Sequence, residues 1–474
     1  MDYIELNISQ LQIVSGKQAW EYRIIPKNLD NQRIEFYSHE SSDNWNRVEE
    51  LELIFGKKVL LIPVSEDRLV NTLKKYYYNN NSKEGIVVEK SPSTDFVETL
   101  IEEALNLGSS DIHIEPEENS GRVRYRVDGK LVERFSLKVV NYQGIVNKIK
   151  IRAKLDITEK RLPQDGRMTF KKNNVEFDIR ISILPTIYGE KIVLRLLSTG
   201  QENLTIDQIG FSGKQQIEYL KAVSKISGIV LISGPTGSGK TTTLYTTLKH
   251  LNTPQYNILT IEDPVEYTLE GINQVQLKEA IGLDFNKALR TFLRQDPDII
   301  MLGEIRDVET AKMAIRSALT GHLVLSTVHT NSAWGTVSRL KDMGIPEYLL
   351  ADTLNICAAQ RLVRLLCNEC KELAKTNIPL MPEKYSSRIN GNSAVYRSVG
   401  CPACQYTGYK GRKALFEIIV IDDDFRDLIK NGDSKLSEFK AKKNIENLSD
   451  VAFRLFDEGN TSLEEILPIL LSNE

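Results

Sequence analysis

The stretch Gly234-Pro235-Thr236-Gly237-Ser238-Gly239-Lys240-Thr241-Thr242 constrains this chain more than any other. It reads G-x-x-x-x-G-K-T directly after the apolar run Ile229 to Ile232 and before a helix-like segment. In a P-loop of this kind the glycines let the backbone wrap a polyphosphate, and the exposed N–H groups and helix N-terminus attract the anion. Lys240 then reaches the β- and γ-phosphates and the Thr241 hydroxyl ligates Mg²⁺. A chance Gly-rich turn is the alternative, and the full motif in a strand–loop–helix setting argues against it. Residues 234–242 are therefore expected to bind ATP.

At roughly 150 residues per domain, the length suggests about three domains. The chain is 41% hydrophobic and 26% charged with a formal charge of −3, so it can bury several cores and carries no global attraction for nucleic acid. No apolar run approaches the ~20 residues of a membrane span. The start, Met1-Asp2-Tyr3-Ile4-Glu5, lacks the basic and apolar regions of a secretory signal. These features predict a cytoplasmic chain that meets a membrane only through partners.

Four of the five cysteines fall in two pairs, Cys367-Asn-Glu-Cys370 and Cys401-Pro-Ala-Cys404. Without an export signal this spacing argues for metal before disulfide. Two knuckles of two thiolates complete a tetrahedral site suited to structural Zn²⁺, with no open position for catalysis. A redox pair and unliganded thiols remain the alternatives. Cys357 lies alone in an apolar, helix-like stretch and is expected in the core.

Residues up to about Tyr78 alternate strand-like runs (Tyr22 to Pro26, Val59 to Pro63) with helical ones, a pattern for a small α/β domain. The polar, turn-rich segment Tyr76 to Gly85 marks a hinge. A second domain opens with an amphipathic helix, Phe96 to Leu107, stopped at Gly108. Strands Asp111 to Glu115 and Arg122 to Gly129 follow, with Arg122, Arg124 and Arg126 sharing one face. That face is ordinarily solvated, and it could also meet phosphate or an acidic neighbour. The third domain adds apolar strands that each end in polar residues. Ile258 to Ile261 leads to Glu262-Asp263-Pro264-Val265-Glu266, Ile299 to Leu302 to Gly303-Glu304-Ile305-Arg306-Asp307, and Leu323 to Thr327 to Val328-His329-Thr330. Short buried strands separated by helices imply a parallel sheet with its ligand site at the strand C-termini. Glu262, Asp263, Glu304 and His329 would then surround one triphosphate. Glu304 is the candidate for polarising the attacking water. Gly303 stands where a metal-binding Asp is usual, so Mg²⁺ would rely on Thr241 with water-mediated help from Glu262, Asp263 or Glu304.

Taken together, these motifs resemble the ATPases of type II secretion systems and type IV pilus assembly, from about Phe96 to near the C-terminus. The resemblance rests on Ile261 to Tyr267, on Leu293 to Asp298 continuing through Gly303 to Asp307, and on Thr320 to Leu323 with His329 to Asn331. Ser110 to Pro116, Lys160 to Arg167 and Asp178 to Arg180 extend it into the second domain. It implies a homo-hexameric motor with a RecA-like P-loop core, a preceding α+β (PAS-like) domain, a small N-terminal α/β domain and a tetracysteine zinc insertion. It further implies that the second domain supplies Arg180 and Arg195 to the nucleotide, because a planar, permanently charged fork pairs well with phosphate. Arg290, Arg294, Arg306 and Arg412 are weaker candidates for core or interface roles.

The expected organisation is 1–82 for docking, as the resemblance implies, or else a generic α/β packing module, then 83–92 as linker, 93–202 for the arginine-supplying domain, 203–362 for the ATPase core, 363–414 for the metal-binding insertion, and 415–474 as helices. A linker near Gln201 to Gly210 makes a hinge between the second domain and the core. The resemblance also implies a partner, the cytoplasmic domain of an inner-membrane platform protein, and peripheral placement at that membrane. Two other classes stay in view. A nucleic-acid translocase would need basic tracts that this chain lacks, and a scaffold that binds nucleotide without turnover is opposed by Lys240, Thr241 and Glu304.

Overall fold

The computed structural model describes residues 3–4, 6, 10, 13–14, 16–29, 33–39, 45–77, 86–87, 96–172, 175–197, 204–374, 381–386, 395–432 and 435–472. They form two compact units, Met1–Ser198 with Cys367–Lys371 and Ser398–Tyr409, and Thr199–Leu366 with Glu372–Arg397 and Lys410–Glu474. No helix among the described residues is long and apolar enough to cross a membrane.

The first unit holds two sheets. Strands β1 (Ile25–Leu29), β2 (Arg33–His39) and β3 (Lys58–Val64) form the smaller one, with β1 antiparallel and β3 parallel to the central β2. Helices Trp45–Phe55 and Glu66–Tyr76 accompany this sheet, and their Leu51, Leu69 and Leu73 join Ile24, Ile25 and Phe36 in a core. The first strand begins at Ile25 rather than Tyr22. Two residues of the expected hinge, Tyr76 and Tyr77, are instead buried in this core, and residues 78–85 lie outside the described residues. Of the expected linker, Ile86–Val87 is described and forms a short strand, β4.

The larger sheet adds β5 (Asp111–Pro116), β6 (Ser120–Val127), β7 (Lys130–Lys138), β8 (Gln164–Lys172), β9 (Val175–Thr186) and β10 (Gly189–Leu197) in the order β4-β7-β6-β5-β10-β9-β8. Period-two alternation sends Ile112, Ile114, Val123, Tyr125, Ile192 and Leu194 into a core shared with helices Phe96–Asn106 and Val139–Arg152. Arg122, Arg124 and Arg126 take the other face. Glu115, itself 6% exposed, accepts from Arg122 at 2.8 Å and Arg124 at 2.7 Å and pairs with Lys191 at 2.8 Å. The arginine face thus meets an acidic neighbour, one of the three fates its spacing allowed.

The second unit is built on β11 (Gly228–Ser233), β12 (Ile258–Glu262), β13 (Asn273–Gln276), β14 (Ile299–Leu302), β15 (Leu323–Val328), β16 (Leu354–Leu366) and, after the short pair β17 (Glu372–Leu373) and β18 (Tyr396–Arg397), β19 (Tyr409–Val420). The sheet order is β13-β12-β14-β15-β11-β16-β19, parallel from β13 to β16. Successive residues of β11 enter different cores, Ile229 and Leu231 one and Val230 and Ile232 the other. Burial on both faces is why these strands read as unbroken apolar runs.

Two expectations change here. The apolar stretch around Cys357 is the strand β16 rather than a helix, because a run buried on both faces carries no period that distinguishes the two. Cys357 is a core residue as expected, paired in register with Leu231. The chain from Phe416 first completes β19, and its helices begin at Asp423.

Candidate functional site

Strand β11 ends at Ser233, and helix Lys240–Leu251 starts after six residues of loop. Three glycines there adopt positive φ: Gly234 at +151°, Gly237 at +80° and Gly239 at +87°. A Cβ on Gly234 would lie 2.5 Å from the Gln360 carbonyl oxygen and 2.6 Å from Ser238 Oγ, and one on Gly239 would lie 2.8 Å from Gln360 Nε2. No side chain caps the first turn of the helix, so its N–H groups face the loop. Lys240 Nζ donates to the carbonyls of Gly234 at 2.7 Å and Pro235 at 3.0 Å. Burial pushes this ammonium below its ordinary range, with Glu304 opposing the shift and Arg361 adding to it. Ser238 Oγ is buried with no hydrogen-bond partner among the described residues. A tight glycine cradle, an orphaned hydroxyl, uncapped N–H groups and a desolvated cation fit a polyphosphate.

The neighbouring strand ends bring several expected residues to the same edge of the sheet. Glu304 follows β14 and is anchored from both sides: Gly303 N donates to Ile261 O at 2.8 Å, Ile305 N to Thr327 O at 2.9 Å, and Thr327 Oγ1 to Gly303 O at 2.8 Å. Its carboxylate pairs with Arg306 and lies 3.2 Å from His329 Nε2. The hydrogen bond and charge of Glu304 raise the Arg306 guanidinium, and Asp263 acts in the same direction. Asp263 and Thr241 are exposed.

Glu262 has a different setting. It is 3% exposed and accepts from Tyr245 Oη, from Thr260 Oγ1 at 2.6 Å and from Gln274 Nε2 at 3.2 Å. Burial raises its carboxyl above the ordinary range despite these donors.

Arg180 and Arg195 lie in the first unit, opposite one another on β9 and β10, and Arg195 Nε donates to Asp111 Oδ1 at 3.0 Å. Arg290, Arg294 and Arg412 are exposed.

Sequence reading missed three residues here. Gln360, buried on β16, accepts from Thr243 Oγ1 at 2.9 Å beneath the loop. Half-buried Arg361 donates to Asn331 Oδ1 at 3.2 Å, and burial lowers its guanidinium below the ordinary range. Tyr245, on the helix that follows the loop, donates to Glu262. For Gln360 and Arg361 the sequence offers only two polar residues after an apolar run, with nothing to place that run beside the P-loop strand.

In the first unit the four knuckle cysteines bring all their sulfurs within 4.8 Å of one another. Sγ separations are 3.8 Å for Cys367–Cys401, 3.7 Å for Cys370–Cys404 and 3.8 Å for Cys401–Cys404. A tetrahedron with Zn–S bonds of about 2.3 Å has edges of about 3.8 Å. Backbone N–H groups of Gly400 (3.3 Å, to Cys370) and of Cys401 (3.1 Å) and Gly408 (3.3 Å), both to Cys404, point at sulfur, as donors that a metal-bound sulfur would accept. The cluster is compatible with zinc.

Comparison with known proteins gives the family. Residues 87–468 match the family model described as type II/IV secretion system protein. The chain belongs to that family. It is 38% identical to the type IV pilus assembly ATPase PilB of Myxococcus xanthus, over 96% of this chain and 86% of that protein. It is 39% identical to the type II secretion system protein E of Xanthomonas campestris, over 98% of this chain and 85% of that one. Among solved structures, the pilus retraction motor PilT with bound ADP aligns with a TM-score of 0.52 and 25% identity, covering 78% of this chain and 95% of that chain.

Proposed function

We propose that this family member, an ATP hydrolase, works as a ring of six copies that couples hydrolysis of Mg-ATP to assembly of a pseudopilus for type II secretion, with extension of a type IV pilus as the alternative for the same motor. The observation that carries the reading is the edge formed by the P-loop, Glu304 and His329 in a chain similar over nearly its whole length to a type IV pilus assembly ATPase and to a type II secretion system protein E.

The glycine loop and the first turn of helix Lys240–Leu251 hold the phosphates, and Lys240 turns from the loop carbonyls to the β/γ-phosphates. Mg²⁺ bound at Thr241 would neutralise charge on the phosphate oxygens. Glu304, oriented by Arg306 and His329, positions the attacking water in line with the γ-phosphate. Glu262 acts at one remove, tying the Asp263 segment to the P-loop helix through Tyr245. Arg180 and Arg195 complete a nucleotide site between copies, which makes turnover depend on assembly. Cys367, Cys370, Cys401 and Cys404 hold a structural zinc. The N-terminal domain docks on the cytoplasmic domain of an inner-membrane platform protein, which places the motor in the cytoplasm at that membrane.

Phosphate release per protomer, measured as protein concentration is raised with Glu304→Gln as the blank, tests the reading. Turnover that climbs with concentration and vanishes in the variant supports a site completed by assembly. A constant rate per protomer down to concentrations where sizing shows monomers would overturn the shared site.

A further inference from the structure

The cysteine knuckles interrupt the chain between β16 and β19 of the core sheet, yet Cys367–Lys371 and Ser398–Tyr409 pack with the N-terminal residues. Tyr406 takes part in that association. Its ring packs against the core of the small N-terminal domain, which contains Leu73, Tyr76 and Tyr77 at the end of helix Glu66–Tyr76. Burial raises the Tyr77 phenol above its ordinary range, and Tyr406 adds to the shift. Burial does the same to Tyr406, and Tyr76 adds to it. Trp20 Nε1 donates to the Tyr77 carbonyl, and Tyr77 N to Leu73 O at 2.9 Å, so the contact reaches the frame of the domain.

The knuckle itself aims Tyr406. Gln405 and Tyr406 both adopt left-handed backbone, with φ of +53° and +63°, which non-glycine residues seldom do. They are held there by Gln405 N donating to Pro402 O at 3.1 Å, Tyr406 N to Cys401 O at 2.9 Å and Thr407 N to Cys404 O at 3.1 Å. Gly400 permits the closure, because a Cβ there would sit 2.6 Å from Tyr406 O. The carbonyls that fix Tyr406 therefore belong to the segment whose two sulfurs must converge on an ion.

We propose that the tetracysteine site anchors the N-terminal domain: closing the four thiolates on one metal ion fixes Tyr406 as a wedge in that domain's core, and releasing the ion lets the domain come loose from the knuckle. The partner of this surface is the chain's own helix Glu66–Tyr76 with Tyr77. The inference rests on the zinc reading above, and it gives the ion a task beyond local stability, transmitting force from the insertion to the domain proposed to dock.

Hydrogen exchange on the full chain tests it, after bound zinc has been counted by elemental analysis. Three states are compared, namely as purified, stripped with a chelator and reloaded with zinc, alongside Tyr406→Ala and Tyr406→Phe. Stripping and Tyr406→Ala are each expected to speed exchange across residues 66–77 by about tenfold. Reloading reverses the first effect, and Tyr406→Phe, which keeps the ring, shows neither. Unchanged protection of 66–77 in Tyr406→Ala would overturn the wedge. Unchanged protection after stripping, or full protection in a chain that purifies without metal, would overturn the metal's part while leaving the ATPase reading untouched. Equal acceleration in Arg33–His39 and Lys58–Val64 would mean that the domain unfolds instead of detaching, and would also count against the anchor.

Discussion

Alanine placed at each of the three positive-φ glycines of the P-loop should produce a graded series rather than a uniform loss. Gly237 has φ +80° and nothing within 4 Å of an added Cβ, so Gly237→Ala costs only the left-handed strain, about 1 kcal/mol. At Gly239 the same strain comes with a Cβ 2.8 Å from Gln360 Nε2. That side chain can swing away only by giving up its bond from Thr243, which adds about 1 kcal/mol. At Gly234 the obstacle is the Gln360 carbonyl at 2.5 Å, part of a strand locked in register to β11, with Ser238 Oγ at 2.6 Å as well. No rotamer change relieves a backbone clash, and overpacking of this kind adds about 2 kcal/mol or more. Melting of the core followed by intrinsic fluorescence, with and without ADP, reads the series. The expected order of loss is Gly237, Gly239, Gly234, at about 2 to 4 °C per kcal/mol. Gly237→Ala should keep most of the ADP-induced stabilisation and Gly234→Ala should lose it. Equal losses at all three positions, or a Gly234→Ala protein as stable as the parent, would refute the idea that β16 packs against the loop as described.

Glu115 sits under Arg124, Lys191 and Arg122. Burial alone would raise its carboxyl, but those hydrogen bonds outweigh burial and hold it at about 2. The stabilisation, about 2 kcal/mol after screening at the part-exposed cations, is present above the ordinary Glu range near 4.5 and is lost as pH falls toward 2. Denaturation from pH 7 to 2.5 should show Glu115→Gln less stable at pH 7 and level with the parent at the acid end. Glu262 has the opposite sign: its raised carboxyl costs nothing below the ordinary range and costs progressively more as pH rises through it. Glu262→Gln should therefore match or exceed the parent's melting temperature at pH 7, with any advantage shrinking toward pH 4, and a variant markedly less stable at pH 7 would contradict that sign. Cys401→Ser should lower bound zinc below one ion per chain, measured by elemental analysis, while ADP binding by the separate P-loop persists within about threefold. A parallel collapse of nucleotide affinity would show that the knuckles support the core directly.

What could be read from the sequence divides by the range of the interactions that decide it. The P-loop was legible because its glycines, Lys240 and Thr241 are neighbours in sequence and each meets a local requirement of phosphate binding. Strands β11, β12, β14 and β15 were legible because burial on both faces leaves short apolar runs closed by polar residues. The same burial hid β16, since thirteen residues without alternation read as readily as helix. Gln360 and Arg361 could not be placed beside Gly234 without knowing that β16 is the strand next to β11. Glu262 shows the limit most sharply. In sequence it is one acid among three after the apolar run Ile258 to Ile261, and its neighbours Asp263 and Glu266 are not distinguished from it. Tyr245 and Gln274, brought in by the following helix and by β13, turn it from a candidate for water-mediated contact with Mg²⁺ into a buried, proton-favouring group. Residue type and spacing therefore nominate a site, while protonation state and partners depend on elements that only the fold brings together. A site residue whose role needs a charge should accordingly be tested where its burial, rather than its motif, predicts that the charge survives.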